Sequence, residues 1–350
     1  MPALTGLRSP ETAAAWNRLN AMRGDLPFLD SRAIVAALEE FGSRKEQLLV
    51  AHDADGPVAQ FVLVPKGNLR WETFQPSQIP LGAWVARPDR PLEALALDLV
   101  RRPLGLCLSV SLTQTDPLVA VRAADSPFCR TDDYIDTAWL DIAGSFDDYW
   151  AQRGKNLRQY LRKQRNRLTA DGIETSLREW RSPEDMAPAL ERYGRMEATG
   201  WKAGEGTAIE ADNAQGRFYR RLLEDATRAG EAVVYEYLFG EQTVAMNLCL
   251  LRKGQLVVLK TTYDEAHKAH SPAFLLREDE LRQFHGTQDV RRIEYFGRVM
   301  DWHLRLTDHK RTLYHLTCFR WPWLKQLASR RRASRAASDL ASAATETQAA

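Results

Sequence analysis

The apolar positions of this chain change their period along its length, and each change marks an element. Ala13 to Met22 and Ser31 to Phe41 have apolar residues at helical spacing and predict two short helices, the second capped by Asp30 or Ser31. Leu48 to Ala51 and Val58 to Val64 predict strands, and the DADG between them is a hairpin turn. Strand-like pieces at 69–74 and 81–86, a helix over Pro91 to Arg101 and a buried strand over Leu104 to Ser111 follow. Further on, Ile173 to Trp180 reads as a strand. Ser182 to Ala198 reads as a helix whose SPED start supplies a cap, an N1 proline and early acids. The helix through Phe218, Leu222 and Ala226 leads into three consecutive strands with FGEQ and RKGQ as their turns. The last of these strands, from Gln255, runs through a polar loop into the helix PAFLLREDELRQFHG. Ser271 is its expected N-cap, Pro272 its first residue and Gly286 its end. Ala273, Leu276 and Phe284, flanked by Phe274 and Leu281, form its predicted buried face, with Arg277, Glu278 and Arg282 largely off it. DVRRIEYFG and Thr312 to Arg320 predict two closing strands.

Composition adds limits. A length of 350 residues suits two domains, and 44% hydrophobic with 27% charged residues is ordinary for a globular chain. Neither an apolar leader nor a window of ~20 apolar residues is present, so a soluble, cytoplasmic protein is expected. Four widely spaced cysteines without a C-x-x-C pair are expected to be reduced and mostly buried. No G-x-G-x-x-G opens the second half, which excludes a doubly wound dehydrogenase. No HExxH accompanies the histidines, so no metal site is expected. The residues from about 329 onward are Ala/Ser-rich and expected to be disordered.

Charge is unevenly spread. Seven cations, Arg153, Lys155, Arg158, Arg162, Lys163, Arg165 and Arg167, fall within one segment without an acid, while the whole chain is +2, so the remainder sums to −5. Leu157, Tyr160, Leu161 and Leu168 give this predicted helix an apolar stripe to pack with. Its outer face is open to three readings: a solvated surface, attraction of a phosphate-bearing ligand, or contact with RNA.

The strand–loop–helix over 255–286 has the form of an anion site, because a helix start offers backbone N–H groups and a positive dipole end. Lys268 and His270 precede that start. KAHSPA resembles a degenerate Q/R-x-x-G-x-G/A pyrophosphate loop of GNAT-type acetyltransferases, with Lys268 first, Ser271 where glycine is usual and Ala273 last. TTYDEAHKAHSPAFLL is similar to the Y-D-x-x…S-P-G-x-L-L stretch of the CelD-type branch, the cellulose-biosynthesis-associated group with a BioF-like domain. MEATGWKAGEGTAI is similar to that branch's E-x-x-x-W-K-x…G-T-A-I segment.

The resemblance implies an α/β (α+β) fold of tandem GNAT-like mixed sheets with flanking helices. It implies a degenerate copy over 1–135, a GNAT acetyltransferase-like domain over 136–328 with the basic hairpin at 144–172, and a tail over 329–350. The implied co-substrate is acetyl-CoA or another acyl-CoA, held by Lys260, Thr261, Thr262, Lys268, His270, Ser271 and Ala273. The oxyanion donor is implied to be a backbone N–H near Lys260 to Thr262. Glu294 is the first candidate for the catalytic base, with Asp264, Glu197 and His303 behind it. Trp201, Lys202, Trp302 and His303 are the candidate acceptor-binding residues. His303 stands where the family has lysine, so a permanent cation is missing from that position. The implied acceptor is an amine or hydroxyl of a sugar or polysaccharide precursor. A Fem-like transferase drawing on aminoacyl-tRNA and a catalytically silent partner in exopolysaccharide assembly are the alternatives.

Overall fold

The computed structural model describes residues 1–199, 209–332 and 334. In chain order its helices are α1 (Ala3–Arg8), α2 (Pro10–Met22), α3 (Ser31–Phe41), α4 (Leu92–Arg101), α5 (Phe146–Ala151), α6 (Lys155–Ala170), α7 (Pro183–Thr199), α8 (Ala214–Arg228), α9 (Pro272–Thr287) and α10 (Asp301–Leu304). The strands are β1 (Gln47–Asp53), β2 (Gly56–Pro65), β3 (Arg70–Thr73), β4 (Trp84–Ala86), β5 (Ser109–Thr115), β6 (Cys129–Asp141), β7 (Thr175–Trp180), β8 (Ala232–Phe239), β9 (Gln242–Arg252), β10 (Gln255–Tyr263), β11 (Arg292–Glu294) and β12 (Lys310–Phe319).

These strands make one mixed sheet in the order β1-β2-β3-β5-β12-β6-β11-β10-β9-β8-β7, with β4 paired to β2. The period-2 alternation of the strands divides their side chains between two helical layers. On β8, Ala232 and Val234 face the layer built from α1, α2, α3, α7 and α8, whereas Val233, Tyr235 and Tyr237 face α5, α6 and α9. In the first half the second face packs on α4 through Phe61, Leu63, Val110 and Leu112. The fold is therefore α/β, one large mixed sheet with helices on both of its faces.

The element that joins the two halves of this sheet was not legible. β6 runs for 13 residues, pairs with β12 from Cys129 to Ala138 and with β11 from Trp139 to Asp141. Polar residues on both of its faces (TDDYIDT) hide it from a hydrophobic pattern. The domain boundary expected at residue 135 lies within this strand.

Several expectations are corrected. The strand expected over Leu104 to Ser111 begins at Ser109, because Pro103 and Gly105 (φ +60°) turn the chain and leave Leu106 exposed. The cysteines are not all reduced: Cys129 and Cys318 occupy paired positions on β6 and β12 and form a disulfide, while Cys107 and Cys249 are free and buried. Helix α9 ends at Thr287, not Gly286, with Gln288 in the left-handed conformation and its N–H on the Phe284 carbonyl. The tail expected to begin at 329 is helical through 332, and most of the rest of it lies outside the described residues. No described helix is long and apolar enough to cross a membrane.

Candidate functional site

β10 and β11 are parallel neighbours for only three residues, Gln255 to Val257 against Arg292 to Glu294. Beyond Val257, β10 continues to Tyr263 paired only with β9, and a bulge between Val258 and Lys260 bends it. On that side its backbone groups face a gap and not a strand. A short 3₁₀ turn (Glu265–His270) then brings the chain to the start of α9 at the mouth of the gap. The stretch expected as a polar loop is this turn. It is ordered by Asp264, whose carboxylate accepts from the Ala266 N–H at 2.9 Å.

A cavity of about 490 Å³ occupies this gap. Thr261, Thr262 and Tyr263 of β10 form one wall, and Glu265 and Lys268 of the 3₁₀ turn form another. The start of α9 (Ser271 to Phe274), Arg277, Met300, Trp302 and Glu197 of α7 complete it. A second cavity of about 370 Å³, between α7 and α8, shares none of these residues.

Ser271 does not cap α9 with its side chain. It adopts φ +52° and ψ +53°, its carbonyl accepts from both Phe274 and Leu275, and its hydroxyl pairs with the Tyr160 hydroxyl of α6 at 2.8 Å. Lys268 is exposed and makes no ion pair among the described residues. His270 turns its ring edge to Phe239 and is not among the cavity's lining residues.

Arg277 is the feature that the sequence concealed. It was expected on the outer face of α9, yet it is buried. One guanidinium nitrogen donates to the Ala273 carbonyl at 2.6 Å and another to Thr261 Oγ1 at 3.0 Å, and the group lies 4.0 Å over the Trp302 ring. No carboxylate lies within ion-pair distance among the described residues, and burial lowers its pKa. Glu280, one turn on, holds both carboxylate oxygens near Asn247 Nδ2 (2.8 and 2.9 Å), and burial pushes its pKa up to about 7. His303 stacks on Trp302 at 3.5 Å, accepts from the Met300 N–H, and is driven down to about 4 by burial and by Arg277. It is neutral at pH 7. The cation beside Trp302 thus comes from α9.

The three carboxylates singled out as bases have separate surroundings. Glu197 lines the cavity; it accepts from the Lys260 ammonium at 3.0 Å and from the Ile209 N–H at 3.0 Å. The Lys260 ammonium also faces the rings of Tyr193 and Tyr219 at 5.7 and 5.6 Å. Glu294 is buried on β11 away from the cavity lining, where Arg311 donates to it at 2.8 Å and also grips Asp116. Burial pushes Glu294 up to about 7 against the pull of Arg311. Asp264 caps the 3₁₀ turn and receives Gln242 at 3.2 Å. Trp201 and Lys202 lie outside the described residues. Of the expected donor-binding set, Thr261, Thr262, Lys268, Ser271 and Ala273 line the cavity; Lys260 sits behind it, on Glu197.

Residues 155–311 match the family model described as an acetyltransferase (GNAT) domain. No curated protein matches the chain in sequence. Among solved structures, the chain resembles the C-terminal domain of a protein assigned as a lysylphosphatidylglycerol synthetase from Agrobacterium fabrum. That match has TM-score 0.55 and 14% identity, over 88% of this chain and 92% of that one. It also resembles a conserved protein of unknown function from Bacteroides thetaiotaomicron (TM-score 0.53, 10% identity, 88% and 97% covered). FemX is similar at TM-score 0.52 and 7% identity, with 83% and 92% covered. At these identities the likeness is one of fold. The gap between β10 and β11 and the tip of α9 both fall within residues 155–311, the span similar to the acetyltransferase (GNAT) domain.

Proposed function

We propose that the chain is an acyl-CoA-dependent acyltransferase, of the N-acetyltransferase kind, acting on an amine or hydroxyl of a glycan precursor. The observation that carries this reading is the cavity of about 490 Å³ between the diverging β10 and β11, floored by the tip of α9. Its volume suits a ligand arm and an acceptor group together. Lys268 and the α9 start supply a cation and a dipole end for a diphosphate, and Ala273 lets a ligand approach the helix closely. Acyl-CoA bound there supplies an acyl group activated as a thioester.

The protein's own groups then have distinct tasks. A backbone amide of β10 in the stretch Lys260 to Thr262 donates to the carbonyl oxygen as it gains negative charge. Arg277, a buried cation at the same wall, adds to that stabilisation. The acceptor nitrogen or oxygen forms its bond to the carbonyl carbon, the carbon–sulfur bond breaks, and the thiolate leaves and takes up a proton. The acceptor's proton passes to Glu197, directly or through water, because Glu197 is the carboxylate of the three that faces the cavity. Glu294 and Asp264 hold structural pairings in this scheme. The glycan acceptor rests on the resemblance to CelD-type proteins alone.

A second reading has one observation behind it. Arg162, Lys163 and Arg167 are exposed on α6, whose Tyr160 touches Ser271, and such a stripe suits an aminoacyl-tRNA donor as in Fem-type transferases. Isothermal titration separates the two. Micromolar binding of CoA or acetyl-CoA, abolished by K268E/S271E, is expected. Binding of charged tRNA alone supports the second reading, and binding of neither means a silent partner protein. For catalysis, Glu197→Gln is expected to lower kcat about 100-fold at unchanged KM for the donor. A kcat within twofold of the parent removes Glu197 from the scheme.

A further inference from the structure

One end of the sheet, remote in sequence from the cavity, exposes apolar side chains that the fold does not need. β3, β5 and β12 finish side by side there, with Arg70 level with Ser109 and Ser109 level with Phe319. Just beyond, the Leu108 N–H donates to the Leu69 carbonyl at 2.8 Å and the Arg320 N–H to the Leu108 carbonyl at 2.9 Å. The Arg320 guanidinium reaches the Gly105 carbonyl at 3.0 Å. These bonds hold three chain segments together at one edge of the molecule.

From that edge Leu69 and Leu106 project with 49% and 59% of their surface exposed. Trp321, together with Trp323 and Leu327 of the helical segment 322–332 that follows β12, adds to them, exposed by 39%, 57% and 40%. The two indoles stack at 5.9 Å. Lys325 fastens the segment to the body through the carbonyls of Ser126 and Cys129, so the tryptophans are held at the surface. A cluster of large apolar side chains at a surface marks an interaction site.

The charge around this cluster is one-sided. Arg70, Arg101, Arg330 and Arg331 are exposed and make no ion pair among the described residues. The acids of the area are already matched, Glu72 with Lys66, Asp98 with Arg102, Asp125 with Lys325, and Asp132 with Arg130 and Arg332. Tryptophan, leucine and unpaired arginine together are what the headgroup region of an anionic bilayer accepts: indole at the interface, leucine below it and arginine on the phosphates. We infer that this end of the sheet docks on an anionic lipid membrane, making the chain a peripheral membrane protein. It is tied to the surface by Trp321, Trp323, Leu69 and Leu106 and oriented by the arginines. A second copy of the chain docking through this same face would set arginine against arginine, because the acids around the cluster are already matched.

The test is co-sedimentation of the full chain with vesicles of phosphatidylcholine alone and of phosphatidylcholine with phosphatidylglycerol. Binding is expected to the mixed vesicles only, to weaken with salt, and to shift tryptophan emission to the blue. R330E/R331E is expected to lower partitioning about tenfold, and W321S/W323S to abolish it, both with parental circular dichroism and melting. Equal binding to neutral vesicles, no binding at low salt, or undiminished binding by W321S/W323S overturns the inference. So does a solution dimer, seen by sedimentation velocity, that W323S converts to monomer. Donor titration of the same variants reads the cavity separately, so this inference and the acyltransferase reading can fail independently.

Discussion

Glu280, one turn along α9 from Arg277, is a carboxyl whose charge changes near neutral pH. Glu280 is fully enclosed, and the charged groups facing it are Arg277, Glu179 and Asp279. Burial raises its pKa from an ordinary carboxyl value to about 7, so folding favours the neutral acid. Stability from this group is complete below about pH 4.5 and is lost as pH rises through 7. Glu280→Gln is expected to flatten the fall in denaturation midpoint between pH 5 and 8. An unchanged slope would show that Glu280 is already ionised at pH 5. Arg277→Met leaves the fold intact, since no carboxylate depends on the guanidinium at ion-pair distance among the described residues. It is expected to lower kcat of the proposed transfer roughly 100-fold, with donor affinity changed far less.

At the scale of elements, α9 explains both what the sequence made visible and what it withheld. Its start, its proline and its place after a strand were readable from local chemistry. Its burial on nearly every side was not, because the covering elements are α5 and α6, more than a hundred residues earlier. Arg165 of α6 reaches Glu278 at 2.8 Å and Asp279 at 2.6 Å, turning acids that look solvent-facing into an interface. Leu157, Leu161 and Leu168 of α6 pack in the same core as Leu275, Leu276 and Phe284 of α9. Charged residues at helix positions predict exposure only when nothing of opposite charge lies on top of them. Leu161 is fully buried in this core. Leu161→Ala is expected to cost about 2–5 kcal/mol in stability. If α6 also positions Tyr160 on Ser271, the same change should weaken CoA binding, whereas Tyr160→Phe should weaken it without loss of stability. The cysteine pairing was hidden for a similar reason, since Cys129 and Cys318 are 189 residues apart and meet only through the strand order.

The whole molecule is held across its middle by a buried ionic junction. Arg311 of β12 donates to Asp116, after β5, at 2.9 Å and to Glu294 of β11 at 2.8 Å, so one guanidinium joins both halves of the sheet. Arg311→Met strands two buried carboxylates and is expected to cost roughly 3–5 kcal/mol. Urea unfolding should then shift to a lower midpoint, and a single transition should remain if the halves are one cooperative unit.

The insertion of β12 between β5 and β6 has a further consequence for how the molecule is made. During synthesis, the first half leaves the ribosome with two neighbouring strand edges open, and the piece that seals them is translated only after the entire GNAT-type segment up to α10. Until then those edges are free to pair with other nascent chains, a hazard that grows with the delay. Slowing translation ahead of Lys310 should therefore reduce the yield of native protein and increase its dependence on chaperones.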